Sequence, residues 1–188
     1  ALLPGAPHTL QAYLANLADG TIVGASRRSD GTWANGTCVT ARIDRLGRRV
    51  AFLSTATNLL ATPTTGPRDA FVFDRIDGSI VQANTPSSGE EASSTIGSVD
   101  LSGNGRYVTF RSASLNLTSL PITSEQTFRK DLLTGDVTLV SLGPVGPANG
   151  SCAHGSSISD NGGQVAFGSE ATNLAPFDST TNVDIFRG

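Results

Sequence analysis

Few residues of this sequence are of the types that form covalent bonds or carry out catalysis. Its two cysteines, Cys38 and Cys152, stand in matching contexts, Asn-Gly-Thr-Cys and Asn-Gly-Ser-Cys. If the chain is secreted, two cysteines suggest a disulfide, and a disulfide requires Cα atoms within about 7 Å of each other. We therefore expect Cys38 and Cys152 to be joined, either within a compact chain or between subunits. The alternative is a pair of free, half-buried thiols.

The two histidines give little support to catalysis. His8 lies in a segment rich in proline and glycine, and His154 lies in a loop. Nothing in the sequence brings either imidazole close to both a nucleophile and an acid. We therefore expect no enzyme activity and no cofactor.

One loop carries a weak candidate for a calcium site, made of Asp178, Asn182 and Asp184. A Ca²⁺ ion takes six to eight oxygen ligands, and the matching loops of the chain lack this set. Capping of the loop by these side chains is therefore the favoured interpretation.

Other loops carry candidates for surface modification and binding. Three asparagines lie in Asn-x-Ser/Thr sequons and are candidate glycosylation sites: Asn35, Asn149 and Asn116. Asn116 also belongs to a repeated turn, where a side-chain bond to the backbone is the alternative. Trp33 is an aromatic residue in a polar loop, so it is a candidate contact for a glycan or a protein.

Composition excludes two classes of function. The net charge is −3 and no basic patch is visible, so nucleic acid is not an expected partner. No apolar run reaches the roughly 18 residues of a membrane span. The 21 glycines and 9 prolines favour many short strands joined by tight loops.

A repeat organises the chain. A strand followed by an asparagine turn occurs three times, with its aromatic residue at Phe52, Phe110 and Phe167, so the steps are 58 and 57. The asparagine recurs at the same steps, at Asn58, Asn116 and Asn173. A second aromatic recurs at steps of 58, 57 and 58, at Tyr13, Phe71, Phe128 and Phe186. A fixed period of this length indicates a repeat architecture.

Each repeat is predicted to contain four short antiparallel strands, at positions A to D from the centre outward. The series of Phe52 marks position B, and the series of Tyr13 marks position C. Asp-Gly pairs follow position C at Asp19-Gly20 and Asp77-Gly78. They predict type I′ turns, in which both central residues have positive φ. Four antiparallel strands per repeat are the unit of a β-propeller blade.

The sequence resembles the TolB-type propeller repeat of secreted bacterial and archaeal proteins. Three strings carry the resemblance, at Asn104–Phe110, Ser169–Leu174 and Asp184–Arg187, and it covers about residues 9 to 188. It implies an all-β, propeller-like fold. The fold would contain about three four-stranded blade units of 57 to 58 residues each, circularly offset. We predict an N-terminal segment 1–8 and a single repeat domain 9–188, with units breaking near 9–67, 68–125 and 126–182 and a surplus strand at 183–188.

The strand count is 13, four at position C and three at each other position, one more than three blades need. The hairpin Thr9–Ala25 could complete the hairpin Ser156–Gly168, but the strand Val183–Arg187 fits the same place. Propellers have about four to eight blades, so three are too few for an ordinary ring. We expect copies to share strands head to tail, unless the chain is part of a longer protein. The expected assembly strands contain Tyr13 and Leu14 at one end and Asp184, Ile185 and Phe186 at the other.

These features favour a non-enzymatic extracellular structural protein that assembles with itself into a fibre, a sheath or a larger ring. The surplus strand, the paired loop cysteines and the Ser/Thr-rich surface support this hypothesis. The alternative is an extracellular propeller module that binds carbohydrate or protein, with Trp33 as one contact.

Overall fold

The computed structural model describes residues 2–152 and 154–188, which contain fifteen β-strands and one 3₁₀ turn, Leu115–Leu117. The strands are β1 (Tyr13–Ala15), β2 (Ile22–Gly24), β3 (Cys38–Ile43), β4 (Arg49–Ser54), β5 (Asp69–Asp74), β6 (Ile80–Gln82), β7 (Ile96–Leu101), β8 (Tyr107–Ser112), β9 (Gln126–Asp131), β10 (Val137–Leu139), β11 (Leu142–Gly143), β12 (Gly146–Pro147), β13 (Ser156–Ile158), β14 (Val165–Ser169) and β15 (Asp184–Arg187). Within the described ranges, no helix has the length and apolar character needed to cross a membrane.

Two complete blades form the middle of the chain, with strand orders β3–β4–β5–β6 and β7–β8–β9–β10. The hairpin β1–β2 holds positions C and D of a first blade, and β13–β14–β15 holds positions A, B and C of a last blade. The predicted all-β, propeller-like architecture is therefore confirmed, and each of the predicted strands is present in the predicted order. None of the sheets in the described residues closes on itself.

A short hairpin, β11–β12, lies in a loop that the sequence analysis treats as irregular. Leu142 pairs with Pro147, and Gly143 pairs with Gly146. Proline and glycine are depleted in strands, so this loop gives no strand signal. The hairpin does not alter the order of the blades.

The turns between positions C and D are wider than predicted. The amide of Asn16 donates to the carbonyl of Thr21 at 2.8 Å, which leaves four residues in the turn. Within these turns only glycine has positive φ, 73° at Gly20 and 70° at Gly78. The carboxylate of Asp19 accepts hydrogen bonds from the amide and hydroxyl of Thr21, at 2.9 and 2.7 Å. The prediction of type I′ turns is wrong, because the aspartate side chain closes the turn itself.

An aromatic pair joins positions B and C in the last three blades. The rings stack with centroids 5.8 to 5.9 Å apart in the pairs Phe52–Phe71, Phe110–Phe128 and Phe167–Phe186. The four rings of the complete blades are fully buried. Directly opposed aromatic pairs stabilise one register of a sheet, so the repeated aromatic positions set the strand pairing.

The repeated asparagine forms hydrogen bonds to the loops at the rim opposite the turns between positions C and D. Its side-chain nitrogen donates to a backbone carbonyl of the loop before position A. The three bonds are Asn58 to Trp33 at 2.9 Å, Asn116 to Glu91 at 2.6 Å and Asn173 to Pro147 at 2.8 Å. The expected side-chain bond to the backbone is therefore present in all three repeats.

Candidate functional site

The first blade has no strands at positions A and B among the described residues. Its strand β1 pairs only with β2, whereas the counterparts β5 and β9 have a strand on each side. Hydrogen bonding alternates along an antiparallel pair, and the amide of Asn16 faces β2. The N–H groups of Tyr13 and Ala15 therefore point to the other edge. An open edge of this kind can accept a further strand.

The inner strand of the next blade is uncovered on the same side. Five of the six residues of β3 are exposed, whereas every residue of its counterpart β7 is buried or half-buried. Ile43 is 52% exposed, but Leu101, which holds the same place in the next repeat, is 5% exposed. The strands β3 and β4 pack against β7. Among the described residues, no hairpin packs against β3 in the way that β3–β4 packs against β7, and β3 is therefore exposed.

A groove of about 490 Å³ lies between β1 and the β3–β4 turn. Its large apolar lining residues are Leu14, Leu17, Val23, Ile43 and Leu46. Leu17 is 95% exposed and Leu46 is 78% exposed. Clustered, exposed apolar side chains are typical of interaction surfaces. The groove and the edge of β1 together form the candidate functional site, which we call the open slot.

At the other end of the chain, the predicted surplus strand fills position C of its own blade. β15 pairs with β14 and places Phe186 opposite Phe167. No strand among the described residues holds position D of this blade, and Ile185 is 75% exposed. Within the described residues, the outer edge of β15 is therefore unpaired, and the predicted assembly strands lie at the two unpaired edges.

A polar pair links positions C and D in the first three blades. The pairs and their distances are Gln11–Ser26 at 2.7 Å, Asp69–Asn84 at 2.8 Å and Gln126–Ser141 at 2.7 Å. The side chain after position D also accepts a hydrogen bond from a backbone amide. That amide belongs to the residue directly after its partner in the pair. Asp184 is the fourth member of this series by repeat position, and it is exposed. It has no hydrogen-bonded partner at position D within the described chain.

No disulfide joins Cys38 and Cys152 within the chain, where both are free and buried. They belong to different apolar clusters, one between the first two blades and one in the last blade. The amides of Cys38, Ile96 and Cys152 donate to equivalent carbonyls, those of Leu10, Arg68 and Glu125. The repeat therefore uses this position for a buried apolar residue, and cysteine serves as a small one.

Two of the three sequon asparagines are exposed, Asn35 and Asn149. The side-chain nitrogen of Asn35 donates to the hydroxyl of Thr57 at 2.9 Å, and that of Asn149 donates to Thr172 at 3.0 Å. The side chain of Asn116 is half-buried and bonded to the backbone. Glycosylation of the three residues stays a prediction, and it would require each nitrogen to leave its partner.

Trp33 is half-buried in the loop between β2 and β3. Its ring lies 5.8 Å from the ring of Tyr13, and the guanidinium of Arg27 lies 5.5 Å from its centroid. A side chain at Gly24 would overlap the indole, so glycine is required for this packing. The cluster of Tyr13, Arg27 and Trp33 presents an aromatic surface beside a cation.

The calcium candidate lies in the loop before β15. Asp178 accepts a hydrogen bond from the amide of Thr180 at 3.2 Å, which is the loop capping that the alternative interpretation expects. No group of three or more His, Cys, Asp or Glu side chains within the described residues could hold a metal ion. His8 and His154, the two histidines, are both exposed.

Charged contacts between blades were missed by sequence reasoning. Arg42 pairs with Asp100 at 3.5 Å, and Arg45 pairs with Asp160 at 2.8 Å. Arg42 and Asp100 hold the same position in successive repeats. Opposite charges at equivalent positions of adjacent blades are the signal that could have predicted the first pair.

Lys130, the one lysine in the sequence, makes a further contact between blades that sequence reasoning missed. Its ammonium group donates to the carbonyls of Thr85 and Gly135 at 2.6 and 2.7 Å, which joins the two complete blades. The residue is 6% exposed, and burial lowers the pKa of its side chain. The signal was a lone lysine at a strand position that holds Ala15 and Phe73 in other repeats.

The comparisons with known proteins identify the fold. No protein-family model and no curated protein matches the sequence. Among solved structures, the chain is similar to putative TolB from Agrobacterium tumefaciens, with TM-score 0.51 and 15% identity over 94% of this chain and 56% of that one. It is also similar to the tricorn protease, with TM-score 0.52 and 8% identity over 90% of this chain and 14% of that one.

A third similar structure is TolB from Acinetobacter baumannii, with TM-score 0.49 and 16% identity over 94% of this chain. The chain spans 34% of that protein, so it covers between a seventh and just over half of the three structures. Identities this low concern the fold alone. With the four-stranded blades described above, the likenesses to putative TolB from Agrobacterium tumefaciens and to the tricorn protease show that the chain has a TolB-type β-propeller fold.

Proposed function

We propose that this chain is a non-enzymatic, extracellular structural protein that joins copies of itself through the open slot. The contrast between Ile43 and Leu101 carries the proposal, since the same repeat position is 52% exposed in one blade and 5% exposed in the next. Filling the slot would remove apolar surface from water at about 25 cal/mol per Å². A strand added beside β1 would also satisfy the unpaired backbone edge.

The extracellular location is supported by the resemblance to repeats of secreted proteins. Asn35 and Asn149 add to it, because both sequons lie on exposed loops at one rim of the blades. The free, buried cysteines give no support to a covalent link between subunits. Association is therefore expected to be insensitive to reductant.

Size-exclusion chromatography with light scattering tests the proposal. We expect a mass above that of the 19.3 kDa chain that increases with protein concentration. Ile43→Glu places a charge in the open slot and should shift the protein towards the monomer. Leu133→Glu is the matched control, because Leu133 is 75% exposed but does not line the groove. A mass of 19.3 kDa at all concentrations contradicts self-association.

A second candidate function is the binding of a glycan or protein partner at Trp33. The contacts of Trp33 with Tyr13 and Arg27 favour it, since aromatic faces bind sugar rings and side chains. Trp33 is the one tryptophan of the sequence, so its fluorescence reports directly on this surface. Saturable quenching by an oligosaccharide, lost in Arg27→Ala, would support this function. Unchanged emission across a set of glycans would count against it.

A further inference from the structure

The carboxylate of Asp69, in the second blade β3–β6, is buried with only one of its oxygens bonded. The residue is 1% exposed. Its Oδ1 accepts a hydrogen bond from the side-chain nitrogen of Asn84 at 2.8 Å, whereas its Oδ2 is buried and accepts none. The side-chain nitrogen of Gln82 is also buried and has no partner among the described residues. Buried polar atoms without partners are rare in folded proteins, so these two atoms indicate a place for a ligand.

The neighbouring blades show what this place holds elsewhere in the chain. By repeat position, Asp69 corresponds to Gln11 and Gln126. The side-chain nitrogen of Gln126 donates to the carbonyl of Ala148 at 3.0 Å and to the hydroxyl of Ser124 at 3.1 Å. Gln11 makes the equivalent two bonds. In both blades, an N–H donor therefore satisfies several oxygens.

Asp69 replaces that donor with an acceptor, because an ionised carboxylate has no hydrogen to donate. The oxygen that corresponds to the Ala148 carbonyl is the carbonyl of Ala92, a residue that is 4% exposed. In the second blade, the donor that binds this oxygen in the other blades is therefore absent, and a carboxylate oxygen is added. A cation can satisfy such a set of acceptors.

A second carboxylate lies close to Asp69. The amide of Thr65 donates to the two carboxylate oxygens of Glu91 at 2.9 and 3.0 Å, and the hydroxyl of Thr65 donates to the same carboxylate. The next residue, Gly66, lies against Asp69, because a Cβ there would be 2.8 and 2.9 Å from the two carboxylate oxygens. Burial raises the pKa of Asp69, and the negative charge of Glu91 raises it further.

These two carboxylates have no counter-charge within the described chain. The ion pairs of the described residues involve neither Asp69 nor Glu91. Two negative charges that lie close together repel each other, and the repulsion is stronger away from bulk water. A bound cation would replace this repulsion with attraction to both groups.

We propose that the second blade binds one Ca²⁺ ion between Asp69 and Glu91. Both carboxylates would be ligands, and the carbonyl of Ala92 and the amide oxygen of Gln82, with its amide turned over, would be neutral ligands. Ca²⁺ takes six to eight oxygens in flexible geometry, so water would complete the set, whereas Mg²⁺ requires a near-ideal octahedron and dehydrates reluctantly. The site lies within one blade and does not depend on the proposed self-association.

The ion would join two loops of this blade. Thr65 and Gly66 lie between β4 and β5, and Glu91 lies between β6 and β7. The second loop is already held at Thr85, whose carbonyl accepts a hydrogen bond from Lys130 at 2.6 Å. Ca²⁺ should therefore slow amide exchange around Glu91 and leave exchange in β14 of the last blade unchanged.

Calorimetric titration of the protein, freed of metal with EDTA, tests the site. We expect one Ca²⁺ per chain with a Kd of about 10⁻⁵ to 10⁻³ M, and Mg²⁺ binding at least about tenfold weaker. The Tm should rise with Ca²⁺ concentration, because the ion binds only the folded chain. No binding and no rise in Tm up to about 10 mM Ca²⁺ overturns the proposal, and water or a proton then satisfies Asp69.

Substitutions assign the binding to these residues. Asp69→Asn removes the charge at nearly constant shape and should weaken Ca²⁺ binding at least about tenfold. Glu90→Gln is the matched control, because Glu90 is the exposed neighbour of Glu91, and it should leave the affinity unchanged. Equal Ca²⁺ affinity in Asp69→Asn and the wild type overturns the proposal.

A second variant keeps the test decisive if Asp69→Asn fails to fold. Asp69→Gln with Asn84→Ser installs the glutamine–serine pair of the blades on either side. This variant should fold in EDTA and show no rise in Tm with Ca²⁺. A rise in Tm equal to that of the wild type would show that the ion binds elsewhere and would overturn the assignment.

Discussion

The ion pair between Arg106 and Asp131 makes a testable prediction about stability. Arg106 donates from Nε to Oδ1 at 3.0 Å and from Nη2 to Oδ2 at 2.7 Å. These bonds hold the pKa of Asp131 at about 2, below its ordinary value of 3.8, although burial acts in the opposite direction. The amides of Leu133 and Thr134 also lower this pKa.

The size of the effect follows from the change in pKa. One pK unit corresponds to about 1.4 kcal/mol, so a fall from 3.8 to about 2 gives roughly 2.5 kcal/mol as an upper limit. Arg106 is 40% exposed and Asp131 is 13% exposed, so solvent screens part of the interaction. We expect Asp131→Asn to lower the free energy of unfolding by about 1–2 kcal/mol at pH 7.

The sign of the pH dependence is fixed by the lowered pKa. Because the folded pKa lies below the unfolded one, the stabilisation is present above pH 3.8 and is lost as the pH falls towards 2. Urea unfolding at pH 7 and at about pH 2.5 measures it. Asp136→Asn, an exposed change on the same turn, is the control and should stay within about 0.5 kcal/mol. An equal cost of Asp131→Asn at both pH values would refute the ion-pair explanation.

Three other predictions concern buried groups. Burial raises the pKa of Asp69 above 3.8, so wild-type stability should fall as the pH rises from about 4 through that raised pKa; Asp69→Asn should remove this fall in urea titrations. Phe128→Ala should lower the free energy of unfolding by about 3–5 kcal/mol. Phe186→Ala should lower it by less than half as much, because Phe186 is only half-buried. Denaturation curves of the two variants test the difference. Lys130 should react with amine reagents only after unfolding, since it is 6% exposed; labelling of the native protein at this side chain, seen by mass spectrometry, would contradict its burial.

The sequence predicted the strands because aromatic residues mark their pairing. Phe52 and Phe71, one blade's aromatic pair, face each other across two strands, so their repeat positions determine which strands are neighbours. The turn type was not predictable from Asp-Gly alone, because the carboxylate of Asp19 closes a wider turn. A two-residue turn and this four-residue turn share the same dipeptide signal.

The candidate site could be predicted only in part. The open edges follow from the strand count, and the structure places Tyr13 and Phe186 at them. The groove around Ile43 did not follow, because its exposure depends on which strands are absent beside it. The predicted disulfide is absent within the chain: matching loops suggested pairing, whereas Ile96 at the equivalent position shows that the repeat places a buried apolar residue there.

Hydrogen–deuterium exchange at several protein concentrations tests most directly whether copies associate through the open slot. The amides of Tyr13 and Ala15 point to the uncovered edge of β1. Self-association predicts that β1 and β3 become more protected as concentration rises, while β8, at the centre of a complete blade, stays equally protected. Exchange of β1 and β3 that is fast and independent of concentration would contradict the account.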